Sequence, residues 1–213
     1  MYRTSKNLTI MTAMFAVSLV LANVLAAKVV QIGFIEIPAA IILYPVTFIC
    51  TDVISEIWGK KEAQFAVRLG IIIQICALIF IYAAILLPPA SYMTEFQESY
   101  RAVLGSTARF VIASLAASVV SQHFDIFIFH KMKKAFPKHK WIRNNTTILS
   151  QLIDTSIFIT IAFLGTVPDI FIMIASQFVI KMLVAVCDTP LFYFLTRHGK
   201  KTGPQDTEAS EEE

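Results

Sequence analysis

Two short stretches, SQHFD at 121–125 and SQLID at 150–154, each place a serine, a glutamine and an aspartate in a run that is otherwise almost wholly apolar. A third Ser-Gln pair stands at 176–177, four residues before Lys181. Carboxylates accept hydrogen bonds, glutamine and asparagine both accept and donate, and an ammonium donates three. Such a set can hold a small polar solute or relay protons. At helical spacing the groups fall into stripes, because residues three, four, seven and eight apart share a face. One stripe is Ser114, Ser118, Ser121, Gln122 and Asp125. A second is Thr147, Gln151, Asp154 and Thr155, and a third is Gln177, Lys181 and Asp188. A fourth is Thr47, Thr51, Asp52, Ser55 and Glu56.

The elements that carry these stripes read as membrane spans. The chain has 213 residues, of which 56% are hydrophobic and only 15% charged, with a mean hydropathy of +0.68. A soluble domain of this size carries about 25% charged residues. Here the charges cluster in blocks between long apolar runs at roughly 8–30, 37–58, 69–87, 107–129, 146–164 and 170–195. Each run can cross a bilayer as a helix of ~20 residues. The last is long and contains Pro190, so a kink or an end is expected there. Fourteen of the 18 Lys and Arg residues fall on one side, while Lys28, Arg101 and Arg109 fall on the other. Basic connections stay in the cytoplasm. The expected fold is therefore an all-α integral membrane protein with six transmembrane helices, both termini cytoplasmic, and the polar stripes turned inward around a central polar cavity.

A transmembrane domain over 1–198 and a disordered acidic tail over 199–213 are expected. The first apolar run exceeds the core of a signal peptide, so it reads as an uncleaved span. The connection at 88–106 suits an interfacial helix, a lid or an ordinary loop. The basic connection HKMKKAFPKHKWIRNN at 130–145 suits contact with anionic lipid heads, and Asn144 or Asn145 suits a helix cap. Cys50, Cys76 and Cys187 lack metal or disulfide spacing and read as buried small hydrophobes. No cofactor motif is present, and the net charge of +3 reflects topology rather than nucleic-acid binding.

A charged residue at a span centre costs at least ~2.5–3.5 kcal/mol on insertion scales. Interhelical polar contacts return only about 0.6 kcal/mol on average. Pairing of Lys181 with Asp125 or Asp154 for packing alone does not offset that cost, so a functional layer is favoured. Individual Ser and Thr residues are expected to bond their own helix backbone. Glu56 lies near an interface and can face water, and Asp188 can serve the Pro190 bend. A guanine-like edge, with adjacent N–H donors beside a carbonyl, matches a carboxylate and an amide. Many other small polar solutes match them equally.

The runs YPVTFICTDVISEIWGKKEA at 44–63, SQHFDIFIFHKMKK at 121–134 and WIRNNTTILSQLIDTSIFITIAF at 141–163 resemble the queuosine precursor transporter family, also called vitamin-uptake-transporter-like. The resemblance covers roughly residues 10–198. It implies uptake of 7-deazaguanines, such as 7-cyano-7-deazaguanine, its aminomethyl form or queuine, across the bacterial inner membrane for tRNA modification. It also implies that Asp52, Gln122, Asp125, Asn145, Gln151, Asp154 and Lys181 contact this small-molecule substrate, with Glu56, Ser121, Gln177 and Asp188 accessory. In that reading an aspartate accepts the ring N1–H and 2-amino protons, and Gln122 or Gln151 bonds the ring carbonyl. Proton coupling and facilitated diffusion are both open, and a homodimer is compatible but not required. The alternative is a substrate-binding subunit of an energy-coupled vitamin transporter, for which ASLAAS at 113–118 would be a docking patch, although the same small residues equally suit internal packing. No nucleophile–base pair or metal triad supports an enzyme; the one equivocal side chain is His123.

Overall fold

A computed structural model describes residues 2–33, 35–135 and 142–196. Within these, the side chains at 122, 125–135, 142–147, 185–189, 191 and 193 lie outside the description. Helix α1 spans Ser5–Leu25. A hairpin follows, β1 at Val29–Ile32 and β2 at Ile35–Pro38, and a 3-10 turn at Ala39–Leu43 leads into α2, Tyr44–Ile57. Then come α3, Lys60–Leu86; α4, Thr94–Gly105; α5, Thr107–Ala135; α6, Ile142–Phe163; and α7, Ile170–Thr196.

Four described segments are long and apolar enough to cross a membrane: Ser5–Leu25, Ala39–Ile57, Lys60–Leu86 and Thr94–Ser121. Ile148–Phe163 and Ile170–Val184 are shorter apolar stretches. Large apolar side chains stand exposed along them, among them Ile72, Ile79 and Phe80 on α3 and Phe171 on α7. In water that would be an aggregation hazard; in a bilayer it is the lipid face.

The helix ends show local causes. Asn7 N–H donates to Thr4 Oγ1 at 3.2 Å, starting α1. Pro45 sits in the first turn of α2, where an amide N–H would have no intrahelical partner. At the other end of α2, the Trp58 and Gly59 amides both return to Ile54 O, at 2.9 and 3.2 Å, and Gly59 takes φ +100°. A residue with a Cβ adopts that conformation poorly, so Trp58-Gly59 stops α2 and starts α3 within two residues. Asp169 Oδ1 accepts the Phe171 and Ile172 amides at 3.1 and 3.2 Å and starts α7.

The chain divides into two compact units. The first takes 1–25, 40–84 and 181–213, and so holds α1, α2, most of α3 and the end of α7. Its core stacks Ile49, Val53 and Ile57 from one face of α2, with Met11, Trp58, Phe192 and Leu195 against them. The second takes 26–39 and 85–180. There α5 packs along α6 over the buried Ala113 and Ala117, and Phe163 meets Phe110 and Phe158 at ring centroids 5.4 and 6.4 Å apart.

Three expectations need correction. The first and second apolar runs do not continue to Val30 and from Ile37 as helix: residues 29–38 form the antiparallel hairpin, with Ile32 opposite Ile35 and Gly33 at φ +63° in the two-residue turn. Pro190 does not end the helix, since α7 runs through it to Thr196; membrane helices tolerate proline when neighbouring groups take up the released carbonyl. Asn144 and Asn145 are not caps, because α6 already begins at Ile142. The connection at 88–106 contains the helix α4, whose Gln97 Nε2 donates to Ile85 O near the end of α3. The basic stretch at 136–141 and the tail at 199–213 lie outside the described residues.

One close approach sets the spacing of α1 and α3. A Cβ on Gly70 would stand 2.7 Å from Phe15 Cε1 and 3.3 Å from Leu19 Cδ2. Gly70→Val should therefore destabilise the detergent-solubilised protein by about 1–3 kcal/mol through overpacking, read as a lower thermal midpoint. Gly105→Ala, which meets nothing within 4 Å, should leave the midpoint unchanged; equal behaviour of the two would refute the tight α1–α3 contact.

Candidate functional site

Most hydroxyls in the stripes are internal to their helices. Thr47 Oγ1 donates to Tyr44 O at 2.9 Å, Thr51 Oγ1 to Thr47 O at 3.0 Å, and Thr155 Oγ1 to Gln151 O at 2.8 Å. This is the local backbone bonding expected for such residues. His123 Nδ1 likewise donates to Val119 O at 2.7 Å from an exposed position. What remains for chemistry is the set of amides, carboxylates and the lysine.

In the first unit the central group is Lys181. It is only 6% exposed, and its Nζ lies 5.2 Å from the centroid of the Tyr44 ring. A cation over an aromatic face is worth ~0.5–2 kcal/mol, more as water is removed. Tyr44 opens α2 and stands beside Phe48, ring to ring at 6.1 Å. The ammonium is thus fixed against the start of α2. Asp52 and Glu56, two and three turns along the same helix, are exposed in this chain. For Glu56 that matches the expected interface position; for Asp52 it means that the carboxylate is accessible rather than enclosed.

In the second unit Ser121 and Asp154 meet. Ser121 is buried, and its hydroxyl is shared between Asp154 Oδ1 at 3.4 Å and Ser118 O at 3.3 Å. Both contacts are long, so the serine orients the carboxylate without neutralising it. Gln151 is half-buried one turn away, Gln177 is fully buried on α7, and Ser150 is buried beside Gln151. The side chains of Gln122, Asp125, Asn145 and Asp188 lie outside the described residues.

An arginine holds this pair in register. Arg109, in the first turn of α5, donates through Nε to Ile161 O at 2.7 Å and through Nη2 to Leu164 O at 2.6 Å. These carbonyls belong to the last turn of α6 and the residue after it, where backbone acceptors lack helical donors and the helix dipole is negative. Arg109 meets α6 near its end, and Ser121, twelve residues on, meets Asp154 nearer its start. The two helices therefore run antiparallel, pinned at two levels.

Arg109, Tyr44 and Gln74 are not candidates on sequence alone. Arg109 enters there only as a charge on the non-cytoplasmic side. Tyr44 gives no signal beyond its place in the YPVTFICTD run. Gln74 stands ten residues from Gln64, the other amide of the most apolar spanning helix, and an isolated polar residue makes no stripe. Of the cysteines, Cys50 is buried as expected, whereas Cys76 is exposed on α3.

Residues 38–195 match a family model described as "putative vitamin uptake transporter". A "probable queuosine precursor transporter" of Bacillus subtilis (strain 168) is 32% identical over 196 residues, covering 90% of this chain and 83% of the relative. A protein of the same description from Haemophilus influenzae (strain ATCC 51907 / DSM 11121 / KW20 / Rd) is 28% identical over 121 residues, 56% of this chain and 49% of the relative. No solved structure matches.

The arginine clamp makes a direct prediction. Arg109→Met keeps the aliphatic stem and removes both donors, each a charge-assisted bond worth ~1.5–3 kcal/mol. Hydrogen exchange in the last turn of α6 should accelerate while that of α1 stays unchanged. Unaltered exchange at residues 159–164 would show that the clamp does not hold the helix end.

Proposed function

The chain belongs to the vitamin uptake transporter family, and from that premise we propose that it imports queuosine precursors across the bacterial inner membrane. Its substrates are 7-deazaguanines such as 7-cyano-7-deazaguanine and 7-aminomethyl-7-deazaguanine, which feed tRNA modification in the cytoplasm. The observation that carries this reading is the 32% identity to the Bacillus subtilis relative over nearly the whole chain. The reading takes the chain as six spans with both termini inside, in keeping with its basic connections.

The chemistry of the described side chains supports the cargo class. Asp154 is an acceptor held in orientation by Ser121. A carboxylate accepts two side-by-side N–H groups, which is what the N1–H and 2-amino edge of a deazaguanine presents. In this proposal Asp154 takes that edge, with Asp52, Gln122, Asp125, Asn145, Gln151 and Lys181 also meeting the substrate during its passage. Glu56, Ser121, Gln177 and Asp188 are accessory. An ionisable residue held inside a span also suits proton coupling, and Asp154 is the group we assign to it.

The reading as a binding subunit of an energy-coupled transporter needs an exposed small-residue face for its partner. Ala113 and Ala117 of the ASLAAS stretch are buried in the chain instead, which favours a self-sufficient transporter.

The test is uptake in a bacterial host that lacks its own deazaguanine synthesis, its own importer and any energy-coupling module. Supplied with 7-cyano-7-deazaguanine at limiting concentration, cells expressing the chain should regain queuosine in tRNA; cells that do not would refute the import reading. Asp154→Asn should lower the initial uptake rate roughly 10- to 150-fold, the value of one charge-assisted hydrogen bond, at unchanged protein level in the membrane. Undiminished uptake would remove Asp154 from the site. A protonophore should abolish accumulation above the external concentration; persistence of the gradient would exclude proton coupling.

A further inference from the structure

Helix α4 has 12 residues, ~18 Å of rise, and so cannot by itself cross a hydrocarbon core of ~30 Å. Nor does α5 need it as an extension, because Thr107–Ala135 alone has 29 residues, ~43 Å. Both ends of α4 are tied down. In its first turn, Gln97 Nε2 donates to Ile85 O, in the last turn of α3, at 3.1 Å. Just past its end, Arg109 donates to Ile161 O and Leu164 O where α6 finishes. In the six-span reading α3 and α6 both finish at the non-cytoplasmic face of the membrane. A helix fastened at each end to a span terminus at one level lies along that level, so α4 runs in the plane of the membrane surface.

The helix is two-sided. Met93, Phe96, Tyr100 and Val103 follow one another at intervals of three and four and share a face. Glu95, Glu98, Arg101 and Ala102 occupy the other. Tyr100 and Leu104 are half-buried against the chain, whereas Phe96 is 57% and Val103 49% exposed. A lid would turn these two side chains onto the chain; here they are turned away from it. The exposed apolar surface continues on both sides of the helix, through Leu86, Leu87 and Tyr92 before it and Ile112 of α5 after it. Leu86 closes one spanning helix and Ile112 belongs to another, so the surface joins the lipid face of the spans. Tyr92 and Tyr100 suit the boundary, where a ring can enter the acyl region while its hydroxyl meets water or headgroups.

We propose that α4 is an interfacial helix bound to the outer leaflet of the bilayer. Met93, Phe96 and Val103 sink among the acyl chains, and Glu95, Glu98 and Arg101 face water. The polar face carries two acids and one base, so it offers no attraction to anionic headgroups. The partner it fits is the apolar part of a phospholipid, met by the buried face of an amphipathic helix. Held in this way, α4 fixes the end of α3 and the start of α5 at the membrane surface. The inference rests on the six-span arrangement and is independent of the cargo.

The experiment uses the full-length protein reconstituted in phosphatidylcholine vesicles. The photoreactive residue p-benzoylphenylalanine replaces, one at a time, Phe96, Val103, Glu95, Ala102 and Ile79, the last an exposed apolar position within the α3 span. After illumination, intact-protein mass spectrometry reads the gain of one lipid mass. Adducts should form at Phe96 and Val103 as they do at Ile79, and should be lost to the unilluminated background at Glu95 and Ala102. No lipid adduct at Phe96 and Val103 beside a clear one at Ile79 would overturn the proposal and return the helix to a lid or an aqueous loop. Equal adducts at all four α4 positions would overturn its orientation. Cross-linked pairs of chains at Phe96 or Val103 would overturn it in favour of a second copy on this face. Absence of the adduct at Ile79 would instead sink the span arrangement, and this inference with it.

Discussion

The bilayer interior has no hydrogen-bonding partner to offer, and this structure is arranged around that fact. Backbone N–H and C=O groups must be met within the chain, so the apolar runs are helices. Where a helix stops, something specific takes up its last carbonyls or first amides. Gly59 turns the chain back on Ile54, Asp169 caps α7, and Arg109 reaches across from α5 to the end of α6. The same constraint disciplines the hydroxyls, which bond one turn back along their own helices. It also gives meaning to the exceptions. A lysine over a tyrosine ring, a serine turned to an aspartate and an amide donor without a partner among the described residues are costly in a bilayer.

The two units solve the problem of holding charge differently. In the first, the ammonium of Lys181 lies over the aromatic face of Tyr44. That interaction is broad in angle and tolerates displacement of the cation. In the second, Asp154 is oriented by a directional, though long, bond from Ser121, and the helices carrying them are pinned by two shorter bonds from Arg109. A soft hold on the cation and a registered hold on the anion suit a transporter, in which one group can shift while another keeps its aim. The membership of the family explains why such groups are tolerated in spans; the geometry explains how they are kept in place.

Much of this is legible in the sequence because a membrane helix is a long, redundant signal. Each apolar run requires about twenty residues to agree, and each corresponds to a helix here. The stripes that include Ser121, Asp154 and Lys181 are visible because helical periodicity gathers them. What escapes is short or solitary. The hairpin at 29–38 is eight paired residues with no clean alternation, and its apolar side chains merge with the flanking spans. Pro190 carries the expectation of its usual effect in water, where a lost helical bond has competition from solvent. The Lys181–Tyr44 contact joins residues far apart in sequence, and Gln74 has no polar neighbour along its helix to raise it above background. Arg109 looks like a topological exception until its acceptors are known.

The two-residue link between α2 and α3 has a consequence for biosynthesis. Because Trp58-Gly59 closes one helix and opens the next with no intervening loop, the two leave the ribosome in immediate succession. The segment with Asp52 and Glu56 is the least apolar of the four described segments long enough to cross, and its two carboxylates add to the cost of transfer. Joined so tightly to the most apolar span, it enters the membrane as part of a unit whose combined transfer is favourable. A lengthened link would uncouple the two steps and leave α2 to be sorted alone, so the glycine that shapes the turn also guards the order in which the chain is threaded into its bilayer.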